Sequence, residues 1–283
     1  MCPAAVNHGD ERGYIIPIGG GEDKNTHPVI LQRFVELAGG RDANIVVFPT
    51  ASRLEETGTL YEEIFTKLGA RDASSIPIST RADCNNPEFA DRCSQASGIF
   101  LTGGNQLRLS TILGGTEVAQ MIRRKNAAGT PVAGTSAGAS IMSEHMMAGG
   151  ESDQGPSEGG VVLAPGLGLT NAAVIDQHFS QRNRLGRLLS AVSLNPFLLG
   201  MGIDEDTAAF IDPHGVVEVI GSGTVTIVDG SKMSYTSAHS AAFNQGLGMI
   251  GLKLDILDEG CHYDLNMREA FPPTENDHRV CSI

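Results

Sequence analysis

Residues 131–138 read Pro-Val-Ala-Gly-Thr-Ser-Ala-Gly and place Ser136 between Gly134 and Gly138, directly after a short apolar run. The pattern G-x-S-x-G between a strand and a helix is typical of a nucleophile elbow, a turn that lifts a serine hydroxyl clear of a sheet. Glycine on either side lets the strand and the helix approach without a clash of Cβ atoms. The following residues are compatible with a helix, whose first amide groups would face an anion formed at the serine. The stretch therefore predicts a strand–turn–helix unit with Ser136 as a catalytic nucleophile.

Before the elbow, the sequence alternates apolar strands with helices. The predicted strands are Tyr14–Gly19, Asn44–Pro49, Ser75–Ser79 and Gly98–Thr102. The predicted helices run from Pro28 to Gly39 and over Leu54–Leu68, Gln106–Leu113 and Glu117–Ala128, with a short helix after Asn86. Strands that are apolar throughout and separated by helices indicate an α/β fold, a mostly parallel sheet with helices on both faces. Ligands of such sheets bind beyond the carboxyl ends of the strands, where the glycine-rich loops 19–21, 103–104 and 134–138 are expected.

After the elbow, the pattern changes to a long loop and then to short strands. Residues 148–168 are rich in Gly, Pro, Ser and acidic residues and are predicted to form the loop, either a lid or a disordered segment. Short strands near the C-terminus predict antiparallel additions to the sheet. We expect one α/β domain over residues 1–283, with flexible tails at 1–13 and 271–283. The predicted elements after the loop are strands at Ala172–Ile175, Leu198–Ile203, Ala208–Ile211, Val216–Ile220, Val225–Val228 and Met249–Leu254 and a helix at Arg182–Val192.

Composition limits the class of protein and of partner. The chain has 283 residues, 41% of them hydrophobic, and a formal net charge of −13, which argues against a nucleic-acid partner. No run approaches the ~18 apolar residues of a membrane span. The five cysteines are scattered without zinc-binding spacing, and the N-terminus lacks the pattern of a signal peptide. We therefore expect a cytoplasmic protein with no membrane association, no metal and no cofactor.

A serine nucleophile needs a base, and the base needs an acidic partner. His178 follows an apolar run ending at Ile175, which predicts a position at the carboxyl edge of the sheet, beside the elbow. His145 is predicted to lie on the elbow helix, about 13 Å along from the serine and too far to act as base. Glu205 is the predicted acid, because it follows another strand.

The choice of acid and the oxyanion hole are the two remaining questions about the predicted site. Asp204 and Asp206 flank the predicted acid, and spacing alone leaves them as alternatives to it. Backbone N–H groups of Ala137 and of Gly103 or Gly104 are expected to form an oxyanion hole. The alternative for the paired glycines is a simple tight turn.

Three arginines within six residues stand out in an acidic chain. They are Arg182, Arg184 and Arg187, and they follow His178 closely. Such a run is often a solvated helix face, but guanidinium groups also bind carboxylates through two parallel hydrogen bonds. We therefore hypothesise that the substrate carries carboxylates near the scissile bond.

Three stretches together resemble the cyanophycinases, in the serine peptidase family that also includes the aspartyl (peptidase E-type) dipeptidases. These stretches are Phe100–Leu109, Gly134–Ala139 and Asp176–Arg187. The resemblance implies a flavodoxin-like sheet related to class I glutamine amidotransferases, a homodimer, and the triad Ser136, His178 and Glu205. It also implies cleavage of cyanophycin, a poly-aspartate backbone with arginine joined to each β-carboxyl, into β-Asp-Arg dipeptides. The positions that match substrate-binding residues of the family are Gln106, Asp176, Gln177, Arg182, Arg184 and Arg187.

Three rival functions stay open on sequence grounds. An aspartyl or isoaspartyl dipeptidase would use the same triad. An α/β-hydrolase esterase would order its triad Ser, acid, His and would need His239 or His262 as base. An amidotransferase-like binding protein with an inactive elbow would need no catalytic triad.

Overall fold

The computed structural model describes residues 2–273, which form strands β1 to β17 and helices α1 to α7. The strands are β1 Ile15–Ile18, β2 Asn44–Phe48, β3 Asp72–Ser75, β4 Gly98–Leu101, β5 Val132–Thr135, β6 His145–Gly150, β7 Val161–Pro165, β8 Ala173–Gln177, β9 Leu199–Ile203, β10 Thr207–Ile211, β11 Val216–Gly221, β12 Val225–Asp229, β13 Tyr235–Thr236, β14 Met249–Ile250, β15 Lys253–Leu257, β16 His262–Asp264 and β17 Glu269–Phe271. The helices are α1 Val29–Leu37, α2 Thr57–Lys67, α3 Pro87–Gln95, α4 Gln106–Leu113, α5 Glu117–Ala127, α6 Ala137–Ser140 and α7 Leu185–Leu194.

The central sheet has nine strands in the order β17-β16-β11-β10-β1-β5-β4-β2-β3. Five neighbouring strands of this sheet, β1, β5, β4, β2 and β3, are parallel. Beyond β1 the sheet continues with the antiparallel strands β10, β11, β16 and β17. Every residue of β1, β4 and β5 is buried, as expected for strands covered on both faces. The predicted α/β class, with its parallel sheet and antiparallel additions, is confirmed.

Helices cover the parallel strands on both faces. On one face α1 and α2 place Phe34 and Phe65 against Phe100 of β4, with ring centroids 5.8 and 5.1 Å from the Phe100 ring. On the other face α4 and α5 bury Leu109 and Ile122. Alternate residues of β2 and β4 point into the two cores, which explains the unbroken apolar runs Ile45–Phe48 and Ile99–Leu101.

A second sheet, in the order β15-β12-β9-β8, packs into one of these cores. Helix α7 covers its other face through Leu188 and Val192. The strand before His178 is β8, so the prediction that it lies in the same sheet as the elbow is wrong. Local hydrophobicity does not determine which sheet a strand joins. The end of β8 nevertheless reaches the elbow, because the His178 amide donates a 2.8 Å hydrogen bond to the Gly19 carbonyl after β1.

The segment after the elbow also differs from the prediction. Helix α6 is one turn long, and His145 begins β6 rather than lying on the elbow helix. The helix ends because the amides of Leu167 and Leu169 donate to the carbonyls of Ile141 and Met142. Strands β6 and β7 pair as a hairpin, so residues 148–168 are only partly a loop.

Several element boundaries differ from those predicted; for example, the predicted strand Met249–Leu254 is divided between β14 and β15. Strand β3 lies at 72–75 rather than 75–79, because it pairs in register with β2. Helix α7 starts at Leu185 rather than Arg182, because Asn183 takes a left-handed conformation with φ 48° after a 3-10 turn. Helix α2 starts three residues later than predicted.

Parts of the two predicted tails are ordered in the fold. Phe271 lies in β17, opposite His262, and Arg12 donates to Ala4 O at 2.6 Å and to Asn126 Oδ1 at 3.1 Å. The rest of the predicted C-terminal tail, from residue 274, lies outside the described residues. Between residues 2 and 273 there is no helix both long and apolar enough to cross a membrane.

Candidate active site

The elbow at the end of β5 holds Ser136 in an unusual backbone conformation, with φ 54° and ψ −111°. Its amide donates to Ile18 O at 2.9 Å, which ties the turn to β1. A Cβ atom at Gly134 would lie 2.5 Å from Gly138 O, and one at Gly138 would lie 2.1 Å from Leu101 O. Only glycine fits at either position, because the strand and the turn approach so closely. The packing explains the spacing of the motif.

A chain of hydrogen bonds runs from the serine through the histidine to the glutamate. Ser136 Oγ lies 2.9 Å from His178 Nε2, and His178 Nδ1 lies 2.6 Å from Glu205 Oε1. The three side chains come from the residue directly after β5, the residue directly after β8 and the turn between β9 and β10. This is the order of contacts in which a hydroxyl is deprotonated by an imidazole that a carboxylate orients.

The two aspartates beside Glu205 are occupied elsewhere. Asp204 accepts from the Ser180 amide at 2.9 Å and from Thr224 Oγ1 at 2.9 Å. Asp206 accepts from the Asp23 amide at 2.8 Å and from Ser222 Oγ at 2.8 Å. Both aspartates therefore brace loops around the site, and Glu205 alone of the three contacts the imidazole.

Burial favours the neutral form of His178, which is the form that can accept a proton. Desolvation lowers the pKa of His178 below its usual 6.5, and the hydrogen bond to Glu205 opposes this shift only in part. The imidazole is therefore neutral at pH 7. With its proton on Nδ1 and donated to Glu205, Nε2 is free to accept the serine proton.

We expect kcat/KM to fall on the acid side with an apparent pKa below 6.5, because the imidazole must be neutral to accept a proton. Glu205→Gln should move this limb to lower pH and slow turnover, since the carboxylate stabilises the imidazolium. A pH–rate profile measures both effects, and Glu63→Gln on the exposed face of α2 serves as the control. An acid limb above pH 7 would contradict this assignment of the base.

Of the predicted oxyanion-hole donors, Gly103 and Ala137 are the better placed. A Cβ atom at Gly103 would lie 3.4 Å from Ser136 Cβ, whereas one at Gly104 would lie 2.2 Å from Ala51 O. Gly103 therefore borders the serine and Gly104 packs against a neighbouring loop. Within the described chain, neither the Gly103 nor the Ala137 amide donates a hydrogen bond, which leaves both N–H groups for an oxyanion.

Of the predicted substrate-binding residues, Gln177 contacts the serine, whereas Gln106 contacts the β6–β7 hairpin. Gln177 precedes His178, and its Oε1 accepts from Ser136 Oγ at 3.4 Å. Gln106 Nε2 donates to Met147 O and Ala148 O, both at 3.3 Å, which links the start of α4 to the β6–β7 hairpin.

The arginine cluster is divided by the structure. Asp176 has no exposed surface, and its carboxylate accepts from both Nε (2.6 Å) and Nη2 of Arg187. Arg184 Nη1 donates to Gln177 O and lies 3.5 Å from Asp176 Oδ1. Burial lowers the Arg184 pKa to about 10. Arg184 and Arg187 are thus buried counter-charges of Asp176, and Arg182 is the exposed member of the three.

Glu22 is a buried acid beside the site that no sequence pattern singled out. It accepts from Thr135 Oγ1 at 2.6 Å and from Tyr61 Oη at 2.5 Å, and Lys24 Nζ lies 2.9 Å from it. Thr135 directly precedes Ser136, so this network joins the glycine loop after β1 to the elbow. An acid immediately after three glycines at a strand end is the signal that sequence alone offers. Within residues 2–273, no group of three or more His, Cys, Asp or Glu side chains is arranged to hold a metal ion.

Comparison with known proteins identifies the family of the chain. The sequence profile of peptidase family S51 matches residues 15–219, which include Ser136, His178 and Glu205. A protein of Synechococcus elongatus named cyanophycinase is 42% identical over 265 residues, 93% of this chain and 82% of its own. One of Geminocystis herdmanii with the same name is 44% identical over 256 residues, 89% and 94% of the two chains.

Solved structures share the fold at lower sequence identity. The crystal structure of a peptidase from an acI-B1 Actinobacterium has a TM-score of 0.66 at 22% identity, covering 93% of this chain and 98% of its own. A putative peptidase E protein from Listeria monocytogenes has a TM-score of 0.51 at 20% identity, covering 75% and 98%. The family profile and the relatives of more than 40% identity together decide the classification: this chain belongs to peptidase family S51.

Proposed function

We propose that this chain is a cyanophycinase, a serine exopeptidase that cuts the poly-aspartate backbone of cyanophycin and releases β-Asp-Arg dipeptides. The observation that carries the proposed chemistry is the hydrogen-bonded line from Ser136 Oγ through His178 to Glu205, at 2.9 and 2.6 Å. The proposed substrate rests on relatives named cyanophycinase that align over about nine tenths of the chain.

In the proposed mechanism, Ser136 Oγ attacks the backbone carbonyl of the substrate and transfers its proton to His178 Nε2. Glu205 holds the imidazole through Nδ1 and stabilises the imidazolium that forms. The Gly103 and Ala137 amides donate to the developing oxyanion. His178 then protonates the leaving amine, and a water molecule activated by the same imidazole hydrolyses the acyl-enzyme.

Substrate contact is proposed for the polar side chains that border the serine. Gln177 contacts Ser136, Gln106 begins the helix after the Gly103 loop, and Arg182 is the exposed guanidinium that can meet a substrate carboxylate. Asp176, Arg184 and Arg187 form the buried ion pair beneath them, which fixes the strand end carrying Gln177 and His178. We also propose that the enzyme acts in the cytoplasm as a homodimer and needs no cofactor.

Incubation of the full-length protein with purified insoluble cyanophycin tests the proposal. We expect soluble products whose masses correspond to β-Asp-Arg, with no larger fragments accumulating, because the cut is made from a chain end. Mass spectrometry of the soluble fraction over time measures this. Hydrolysis of Asp-X dipeptides with no release from the polymer would instead identify an aspartyl dipeptidase with the same triad.

A further inference from the structure

An open cavity of about 370 Å³ lies beside the loop that follows β4. Its lining includes two arginines and no acidic residue, although the chain has a net charge of −13. Its lining residues are Arg53, Asn105, Leu107, Arg108, Thr111 and Ile112. Neither the triad nor the Arg182–Arg187 cluster contributes to it, so it is a separate basic surface.

The cavity and the nucleophile share one rim of the sheet. Gly103 borders Ser136, and Asn105 in the cavity wall is only two residues further on, at most about 7 Å along the chain. The Asn105 amide donates to Ala51 O at 2.9 Å, which joins this loop to the one that carries Arg53. The wall of the cavity and the border of the nucleophile therefore belong to one loop, the one that follows β4.

The two arginines are suited to bind an anion. Arg108 is held in place by bonds from Nε to Thr50 O (2.9 Å) and from Nη2 to Ser79 O (3.3 Å). Its Nη1 makes no hydrogen bond to the described chain. Arg53 is exposed and has neither a hydrogen bond nor an ion pair to any residue between 2 and 273. A fixed guanidinium beside a free one is an arrangement that binds a carboxylate with little reorganisation.

We propose that this cavity is a second substrate subsite, in which Arg53 and Arg108 bind a carboxylate of the unit next to the scissile bond. The inference rests on the proposed function, because that substrate carries a free carboxylate on every arginine branch. The neighbouring Leu107 and Ile112 contact the methylene stem of such a branch. The subsite would thus recognise the repeat of the polymer rather than the bond that is cut.

The test uses a soluble β-Asp-Arg oligomer long enough to occupy both positions. Arg53→Ala should raise KM about tenfold and change kcat less than twofold, since the contact is the same in the ground and transition states. Arg53→Lys should recover part of the loss. Arg71→Ala is the matched control, because Arg71 is also an exposed arginine but lies just before β3, at the amino edge of the sheet rather than the carboxyl edge.

Capping the substrate identifies the group that is bound. Binding is measured in the Ser136→Ala variant. When this variant keeps Arg53, oligomers with amidated arginine carboxylates should bind about tenfold more weakly than oligomers with free carboxylates. The Arg53→Ala protein should distinguish the two forms by clearly less than tenfold, because only Arg108 and Arg182 still face the substrate carboxylates. If Arg53→Ala leaves KM and binding unchanged, or still distinguishes the two oligomers by the full tenfold, the subsite is refuted. If the wild-type protein releases no dipeptide, the proposed function itself is refuted.

Discussion

Ser136→Ala is expected to reduce dipeptide release from cyanophycin by at least about 10⁴-fold, which is the largest effect we expect of any single substitution. The hydroxyl is the group that forms the acyl-enzyme, and no neighbouring side chain replaces it: Gln177 contributes an amide and Gly103 a backbone N–H. Single-turnover assays should show no acyl-enzyme. A serine-directed phosphonylating reagent should label the wild-type protein and leave the variant unlabelled.

The fold should survive this substitution, since alanine keeps the Cβ atom and the removed hydroxyl is only partly buried. We expect the free energy of unfolding to change by less than about 1 kcal/mol. Ser140→Ala is the matched control, because Ser140 lies on α6 one turn beyond the elbow and its buried Oγ has no partner within the described chain. The control should keep near-normal turnover. Turnover by Ser136→Ala within tenfold of the wild type would refute the mechanism.

The elbow could be predicted from sequence because its determinants are local. The glycines at 134 and 138, the apolar strand before them and the small residues after them all act within a few residues of Ser136. The strands of the parallel sheet are predictable for the same reason. Helix α6 was predicted too long because its end is set by hydrogen bonds to residues 167–170, more than 20 positions away in the sequence.

Long-range pairing also explains what was not predicted at the site. His178 and Glu205 were identified by their positions after strands, and the structure places them in contact although β8 belongs to a different sheet from the elbow. The sequence alone did not show that Asp176 would take Arg187 as a buried partner, nor that Glu22 would meet Tyr61 and Thr135. These contacts join residues distant in sequence, and no spacing rule encodes them.

Gly20→Ala is expected to lower kcat by about 10²-fold or more, although Gly20 itself contributes no group to the reaction. A Cβ atom at this position would lie 2.4 Å from His178 Cε1 and 2.7 Å from Nε2, well inside van der Waals contact. The imidazole therefore has to move, and with it the 2.9 Å contact to Ser136 Oγ. A displacement of about 1 Å in a catalytic group can cost about 10²-fold in rate.

Gly69→Ala separates this displacement from backbone strain. The two glycines have nearly the same φ, +99° at Gly20 and +97° at Gly69, but a Cβ atom at Gly69 would meet nothing within 4 Å. Both substitutions should cost about 1 kcal/mol of stability, because alanine is strained at positive φ. Only Gly20→Ala should lose turnover and slow the phosphonylation of Ser136, since that reaction also needs the imidazole as base. Equal activity of the two variants would mean that the glycine loop after β1 does not set the position of His178.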